Sequence, residues 1–287
     1  MLIAQNFTEA MRELDDELNI WSRMGHRPCL WWRDDDAKRD SMELQSLRRL
    51  LDTEYLFLAV VPGLLSDDLV RMIEPEARVY VLQHGWMHTN HSALGKNASE
   101  FPRQRAKDDV ANELWAGQLI LSNAFSGKFH RVFVPPWHRC ADWILRDLEQ
   151  LGFVGVSLES PPFPLVTHGY LGEINIEIDL CDWTRNGSFI GNERLADLLV
   201  RALKLRRHWC HQQAPLGILS HHALLTSYDL RSLSTILDLL RAHDADWVDP
   251  LRLFSLAACL QDKLITQIGL NTPNGFQLGW PEARVGQ

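Results

Sequence analysis

Two histidines four residues apart carry the clearest chemical signal in the sequence. His84 and His88 follow the apolar run 79–82, and their imidazoles are the protein side chains that most often bind a catalytic divalent metal such as zinc. Three aspartates, Asp34 to Asp36, follow another apolar run near residue 30 and offer the carboxylate that commonly completes such a ligand set. A chain with 12 histidines also places some pairs at this spacing by chance, so the rest of the sequence must support a metal site.

Composition excludes several functional classes. The chain has 287 residues, of which 46% are hydrophobic and 23% charged, which is typical of a globular protein. The net charge is -8 and no dense cluster of Lys and Arg occurs, so we expect no nucleic-acid partner. No run of 18 apolar residues is present, so we expect no membrane insertion. The oligomeric state is left open.

Cysteine usage and the first residues bear on the compartment. The number of cysteines is five, and no two of them stand in a C-x-x-C spacing, which argues against a disulfide framework and a cysteine-based zinc finger. The first residues lack the basic start and long apolar core of a signal peptide. Both features predict a cytoplasmic protein.

Short apolar runs alternate with segments of helical periodicity along the chain. Strands are predicted at 28–32, 55–61, 79–82, 131–134, 154–158, 174–180, 216–219 and 246–248. Helices are predicted at 8–24, 41–52, 65–73, 105–123, 143–151, 193–209, 230–242 and 251–260. This alternation, without a Pro/Ser-rich linker, predicts an α/β fold in which residues 1–287 form a single barrel domain with an N-terminal helix at about 8–24.

The polar clusters fall after the predicted strands. The aspartates follow the first strand, His84 and His88 the third, and His221 and His222 the seventh. In barrels of parallel strands the chemistry lies at the carboxyl ends of the strands. We therefore expect these side chains to share one rim, over which the polar stretch 90–102 forms a loop.

The order of these motifs resembles that of a known family. An acidic pair, a His-x-x-x-His, a Pro-aromatic turn at Pro136-Trp137, an Asp-Trp at Asp182-Trp183 and a Leu-x-His ending at His221 follow one another between Leu30 and His222. The sequence resembles the NodB-homology polysaccharide deacetylases, carbohydrate esterase family 4, as a divergent branch. The resemblance implies a distorted (β/α)7-8 barrel and metal-dependent hydrolysis of an N- or O-linked acetyl group on a carbohydrate or related substrate.

The resemblance also implies a ligand set and a base. In the family both histidines and the second acidic residue bind a divalent metal, here expected to be zinc, and the first acidic residue is the general base. If Ala37 stands in place of the family's usual glycine, Asp35 is the base and Asp36 the ligand. If Asp36 stands there, the roles move to Asp34 and Asp35. We favour the first register because related deacetylase-like sequences carry an Arg-x-Asp-Asp form.

The remaining roles come from the other motifs. The resemblance makes His221 the general acid, and an imidazole with a pKa near 6.5 suits proton donation at neutral pH. Asp182 or, as an alternative, Asp179 orients it. The backbone N–H of Trp137, in the turn that begins at Pro136, stabilises the oxyanion, and Trp183 walls the acetyl pocket.

Two positions depart from the family pattern or are left open. The family usually carries an arginine two residues before the Pro of the Pro-aromatic turn, where this chain has Val134. Arg33 or Arg139 is expected to replace it. Asp34 is assigned as a substrate contact, with a structural carboxylate paired with Arg33 or Lys38 as the alternative.

Three functional hypotheses follow. The first is a metal-dependent deacetylase with a carbohydrate or acetylated small molecule as its substrate. The second is a metal-dependent hydrolase of a non-peptide C–N bond in a small amide, and release of acetate or of ammonia separates the two. The third is a catalytically impaired carbohydrate-binding relative, which the missing arginine favours and the survival of base, ligands and acid opposes.

Overall fold

The computed structural model describes residues 2–160 and 172–254. In these ranges the strands are β1 (Cys29–Ala37), β2 (Leu56–Val60), β3 (Val79–His84), β4 (Phe129–Val134), β5 (Gly155–Val156), β6 (Ile178–Asp179), β7 (Cys181–Asp182), β8 (Ser188–Phe189), β9 (Leu216–Ser220) and β10 (Asp246–Trp247). The helices are α1 (Leu2–Arg23), α2 (Met42–Leu50), α3 (Asp67–Ile73), α4 (Lys107–Phe125), α5 (Asp142–Arg146), α6 (Asn192–His208) and α7 (Ser227–Ala242).

Parallel strands form one curved sheet. Its order is β5-β4-β3-β2-β1-β9-β6, and β10 pairs with the start of β1. Isolated parallel bridges, Val156 to Glu173 and Glu159 to Ile176, connect the segments at the two ends of this path. The predicted α/β fold of the distorted barrel type is therefore confirmed. Every strand predicted from the sequence overlaps a strand of this sheet, whereas the small antiparallel hairpin of β7 and β8 was not predicted.

Apolar side chains cover both faces of the sheet, as expected for parallel strands under helices. All five residues of β2 and all five of β9 are buried. Trp31, Phe57 and Ile176 belong to the cluster inside the barrel. On the outside, Leu14 of α1 and Leu199 of α6 join the larger cluster between the helices and the sheet.

Several helix boundaries differ from the predicted ones for local reasons. α7 begins at Ser227 rather than 230 because Thr226 and Asp229 form a reciprocal capping box. The helix predicted at 143–151 is limited to Asp142–Arg146, and the helix predicted at 251–260 lies mostly outside the described residues. None of the helices in the described ranges combines the length and the apolar character that a bilayer crossing requires.

The aspartates lie inside β1 and not after it, which corrects the predicted strand end. β1 continues to Ala37, and its register with β2 shifts between Asp34 and Ala37. Asp36 has φ 69°, a left-handed conformation that is uncommon outside glycine. Because of this irregularity, the strict alternation of side chains along a strand does not hold for Asp35 and Asp36.

Candidate active site

Three side chains meet at the carboxyl end of the sheet as a possible metal centre. The Nε2 atoms of His84 and His88 each lie 3.2 Å from Oδ1 of Asp36. Two ligand atoms at about 2.05 Å from a tetrahedral zinc lie about 3.3 Å apart, so both distances match such a centre. The rest of the described chain offers one further group of this kind, which contains Asp179, Cys181 and His221.

The second nitrogen of His84 fixes which atom faces the cluster. Its Nδ1 lies 3.0 Å from the carbonyl oxygen of Val134, to which an Nδ1–H donates. In the neutral ring this leaves Nε2 with a lone pair directed at Asp36. A backbone carbonyl on the outer nitrogen is the usual way in which proteins orient a metal-binding imidazole.

The position of Oδ1 of Asp36 is the main structural reason to expect a bound cation. This oxygen is shielded from solvent and faces two imidazole nitrogens 3.2 Å away. In the tautomer that donates to Val134, Nε2 of His84 has no proton to give, and a cation between these three atoms would satisfy all of them. The residues present therefore fit a divalent ion with one oxygen and two nitrogen ligands, a donor set that zinc accepts.

The charges around the cluster are consistent with this set. Burial lowers the pKa of His84, but the carboxylates of Asp35 and Asp36 outweigh burial and raise it above its ordinary value. Burial and the neighbouring His84 lower the pKa of His88, so its ring is neutral at pH 7. Two carboxylates beside two imidazoles give a negative site that favours a cation.

A buried glutamate holds the loop that carries His88. The carboxylate of Glu100 accepts hydrogen bonds from the backbone N–H groups of Trp86 and Met87 at 3.0 and 2.6 Å, and Thr89 contributes a longer one at 3.4 Å. Glu100 is 1% exposed. His88 has φ 55°, so this carboxylate stabilises a chain conformation that the histidine would not adopt on its own.

Arg33 forms a buried ion pair with Asp35, the predicted base. Its Nε lies 2.8 Å from Oδ1 and its Nη2 donates to Oδ2 at 3.0 Å, so the guanidinium holds both oxygens of the carboxylate. Nη1 of Arg33 donates to Oγ of Ser157 at 2.6 Å, which anchors the arginine on the far side. Of the two arginines proposed to replace the family's missing one, Arg33 makes the contact. Arg139 is exposed, and its carbonyl accepts from Ser99.

The same pair determines the ionisation of Asp35. Burial alone would raise the pKa of this carboxyl, but Arg33, His84 and His221 outweigh burial and hold it below its ordinary range. The carboxylate is therefore ionised at neutral pH, as a proton acceptor must be.

Asp34 points to the other side of β1 and is fully buried. Its Oδ1 lies 2.5 Å from Nδ1 of His222, and its Oδ2 accepts a hydrogen bond from Oγ of Ser220 at 2.6 Å. Ser220 in turn accepts from the indole of Trp32 at 2.8 Å. With both oxygens engaged and no exposed surface, Asp34 is placed to tie β1 to β9 and not to make the predicted substrate contact. Its partners are also not Arg33 or Lys38, the structural alternative.

His221 lies on the opposite wall of the site and is 8% exposed. The indole of Trp183 packs edge-on against its ring with centroids 5.0 Å apart, and this indole is 59% exposed. The side chain near Nδ1 of His221 is Cys181, whose Sγ is 3.7 Å away. An imidazole beside an open aromatic edge is a suitable proton donor next to an apolar pocket.

The two aspartates proposed to orient His221 have different hydrogen-bond partners in the structure. Asp182 caps the turn Trp183–Arg185, where its Oδ1 accepts hydrogen bonds from the backbone and hydroxyl of Thr184. Asp179 instead belongs to the group that contains His221, and it accepts the indole hydrogen of Trp183 at 2.6 Å. Asp179 is therefore the aspartate beside His221, whereas the carboxylate of Asp182 closes its own turn, and which of the two orients His221 stays a prediction.

Trp137 lies beside the cluster of Asp36, His84 and His88. The turn Pro136–His138 follows β4, with Pro136 buried, and Trp137 has φ 55°. Its indole lies 4.3 Å from the ring of His88, measured between centroids. The neighbouring His138 lies 3.4 Å from the guanidinium of Arg33, and burial together with that positive charge lowers the pKa of His138 to about 3.

Sequence reasoning missed three contributors to the site. Glu100 and Ser157 occur in segments without a motif, and only their hydrogen bonds identify them. Cys181 lies between Asp179 and Asp182, where its spacing could have suggested proximity to the site. His91, which lies in the predicted loop 90–102, is exposed and lies outside the cluster.

Comparison with known proteins gives the fold. No family signature matches the sequence, and no curated protein is significantly similar to it. Among solved structures, the Bc1960 peptidoglycan N-acetylglucosamine deacetylase aligns at a TM-score of 0.52 with 15% identity, over 80% of this chain and 91% of that one. The chain has the fold of the family 4 carbohydrate esterases.

Two further structures support that statement. A family 4 carbohydrate esterase from Bacillus anthracis aligns at a TM-score of 0.50 with 13% identity, over 80% of this chain and 84% of that one. The Xyl-CE4 domain of a multidomain xylanase from the hindgut metagenome of Trinervitermes trinervoides aligns at 0.50 with 11% identity, over 85% and 93%. The resemblance to family 4 carbohydrate esterases that the motifs predicted is confirmed at the level of the fold, and the low identities agree with a divergent sequence.

Proposed function

We propose that this protein is a divalent-metal-dependent hydrolase that removes an acetyl group from a carbohydrate or a related substrate. The observation that carries the proposal is the solvent-shielded Oδ1 of Asp36 at 3.2 Å from the Nε2 atoms of both His84 and His88. A bound ion, for which zinc is the first choice, would act as a Lewis acid and lower the pKa of a water to roughly 7. Three protein ligands leave a coordination position open for substrate or water.

Asp35 is the proposed general base. It neighbours Asp36 in sequence, is ionised because Arg33 holds both of its oxygens, and is 2% exposed. A carboxylate fixed in this way can accept a proton from the attacking water without first reorganising. The contact with Arg33 also weighs against the catalytically impaired alternative, which rested on the lack of an arginine at position 134.

His221 is the proposed general acid and Asp179 its positioning residue. As the C–O or C–N bond to the acetyl carbon breaks, the leaving oxygen or nitrogen needs a proton, which an imidazolium supplies. Trp183 covers one edge of His221 and is open to solvent, so it forms an apolar wall for the acetyl methyl. The backbone N–H of Trp137 is the proposed donor to the oxyanion.

A carbohydrate substrate agrees with the aromatic surface of the site. Trp137 and Trp183 stand on opposite sides, next to His88 and His221 respectively, and aromatic faces of this kind can stack on a sugar ring. The proteins of similar fold have names that refer to peptidoglycan N-acetylglucosamine and to carbohydrate esters.

The test is acetate release by the zinc-loaded full chain from an N-acetylglucosamine oligomer, an O-acetylated xylose oligomer and acetamide as a simple amide. We expect acetate from at least one of the two sugars and loss of this activity in His84→Ala. His91→Ala is the matched control, since His91 lies in the same loop outside the cluster. Ammonia release without deacetylation of the sugars would favour the C–N hydrolase, and no hydrolysis of any of the three would overturn the proposal.

A further inference from the structure

A second group of metal-binding side chains lies on the wall opposite the first. Ligand atoms of Asp179, Cys181 and His221 all lie within 4.8 Å of one another. The group mixes an oxygen, a sulfur and a nitrogen donor, a combination that zinc and cadmium bind well. None of these donors belongs to the cluster of Asp36, His84 and His88.

The distances in this group suit a tetrahedral ion. Zinc binds sulfur at about 2.3 Å and nitrogen at about 2.05 Å, which places the two ligand atoms about 3.5 Å apart in a tetrahedral site. The observed separation between Sγ of Cys181 and Nδ1 of His221 is 3.7 Å. The carboxylate of Asp179 offers an oxygen within 4.8 Å of both of these atoms.

Burial and hydrogen bonding already order the three ligands. Cys181 is 5% exposed and His221 8% exposed. Asp179 accepts hydrogen bonds from the backbone of Cys181 at 2.9 Å and from the indole of Trp183 at 2.6 Å, one on each oxygen. Each carboxylate oxygen can accept a second partner, so these bonds fix the carboxylate and leave it able to bind an ion.

We propose that Asp179, Cys181 and His221 form a second, inhibitory site for a soft divalent cation such as zinc or cadmium. The ion binds Sγ of Cys181, Nδ1 of His221 and an oxygen of Asp179, with water in the fourth position. The thiol gives up its proton to solvent as the ion binds. Burial raises the pKa of this thiol to about 12, so the proton is present until the ion displaces it.

The consequence for activity rests on the proposed function, whereas the site itself does not. An imidazole that coordinates an ion through Nδ1 cannot also be the doubly protonated ring that serves as general acid. The same ion removes Asp179 from its role of orienting His221. Excess metal would therefore inhibit the enzyme whose first equivalent of metal activates it.

Cadmium absorbance tests the site directly, because cadmium bound to a thiolate has an ultraviolet charge-transfer band and cadmium bound to oxygen and nitrogen alone does not. We expect the band when Cd2+ is added to the full chain and loss of the band in Cys181→Ser. Cys210→Ser is the matched control, since Cys210 is an exposed free cysteine. The band should persist in the double variant His84→Ala/His88→Ala, where the first cluster is destroyed.

Activity supplies the second readout. The rate of each variant is normalised to its own rate at one equivalent of zinc. Excess zinc should slow the wild-type chain by on the order of 100-fold, which is the lower range of the rate enhancement that a general acid contributes. Cys181→Ser should resist this inhibition and Cys210→Ser should not. A charge-transfer band that is absent in the wild type or undiminished in Cys181→Ser would overturn the second site. Absence of deacetylation with the band intact would overturn only the proposed function.

Discussion

Replacing Arg33 with methionine should reveal how much the fold depends on the guanidinium that holds Asp35. The side chains of Arg33 and Asp35 are 0% and 2% exposed, and two contacts of 2.8 and 3.0 Å join them. Arg33→Met leaves a carboxylate buried without its counter-ion. Removing one partner of a buried ion pair costs about 3–5 kcal/mol, and this is the expected loss in the free energy of unfolding at pH 7.

The double variant separates the charge from the other contacts of the arginine. Arg33 also donates hydrogen bonds to the hydroxyl and the carbonyl of Ser157, and these are lost whatever residue stands at position 35. Arg33→Met/Asp35→Asn removes the uncompensated charge but still lacks the hydrogen bonds from Arg33 to Ser157. We therefore expect it to recover most, not all, of the stability that Arg33→Met loses.

The loss should also depend on pH with a definite sign. In the wild-type chain the pKa of Asp35 lies below its ordinary value, so its stabilising effect is present above the unfolded-state pKa of about 3.9 and disappears as pH falls through the folded-state value. Without Arg33, burial raises that pKa, and the variant relieves its penalty by taking up a proton. The difference in stability between wild type and Arg33→Met should therefore shrink as the pH is lowered from 7 toward 4.

Equilibrium urea unfolding of the metal-free chain measures these differences. The matched control is Arg103→Met, which breaks an ion pair with Asp142 whose side chains are 79% and 62% exposed. Exposed pairs contribute about 0.2–1 kcal/mol, so this variant should stay close to wild type. If Arg33→Met loses no more stability than Arg103→Met, or if the double variant is the least stable of all, Arg33 does not compensate the buried charge of Asp35.

Further predictions concern the metal, the base and the turn that carries the first histidine. Elemental analysis after exposure to zinc should find about one tightly held ion per wild-type chain. The zinc occupancy should fall several-fold in His88→Ala. Full occupancy in that variant would show that His88 is not a ligand. Asp35→Asn should keep this ion and lose acetate release by roughly 10²–10⁴-fold, and full activity would move the base elsewhere. Gly85→Ala should lose about 1–3 kcal/mol of unfolding free energy, because Gly85 has φ 57° and an added Cβ would meet Glu100 and Pro136. Gly127→Ala is the control, since the space around Gly127 is open, and it should change little in the same urea assay.

The sequence predicted the strands well because buried parallel strands are continuous apolar runs. All residues of β2 and β9 are buried, and both were recognisable without knowledge of their neighbours. The cluster of Asp36, His84 and His88 was also predictable, since these residues follow or end such runs and so share a rim. The resemblance to Arg-x-Asp-Asp sequences selected Asp35 as base and Asp36 as ligand, and this assignment of roles stays a prediction.

Contacts between distant segments were less accessible to sequence reasoning. Whether Asp34 meets substrate or the core depends on the pleat of β1 and on Ser220 and His222, which lie more than 180 residues away. The choice between Asp179 and Asp182 depended on a small hairpin that has no periodic pattern. Periodicity reports burial on one element, and it carries no information about which partner a polar side chain finds on another.

The left-handed backbone at Asp36, His88, Trp137 and His138 has a consequence for how an ion enters the site. Each such residue costs of order 1–3 kcal/mol and persists only when the surrounding structure imposes it. That cost belongs to folding and not to ion binding, so the proposed ligands Asp36 and His88 would be preorganised before an ion arrives. The entropy lost on binding is then mainly that of the ion and its waters, and metal exchange should leave the backbone of the rim almost unchanged.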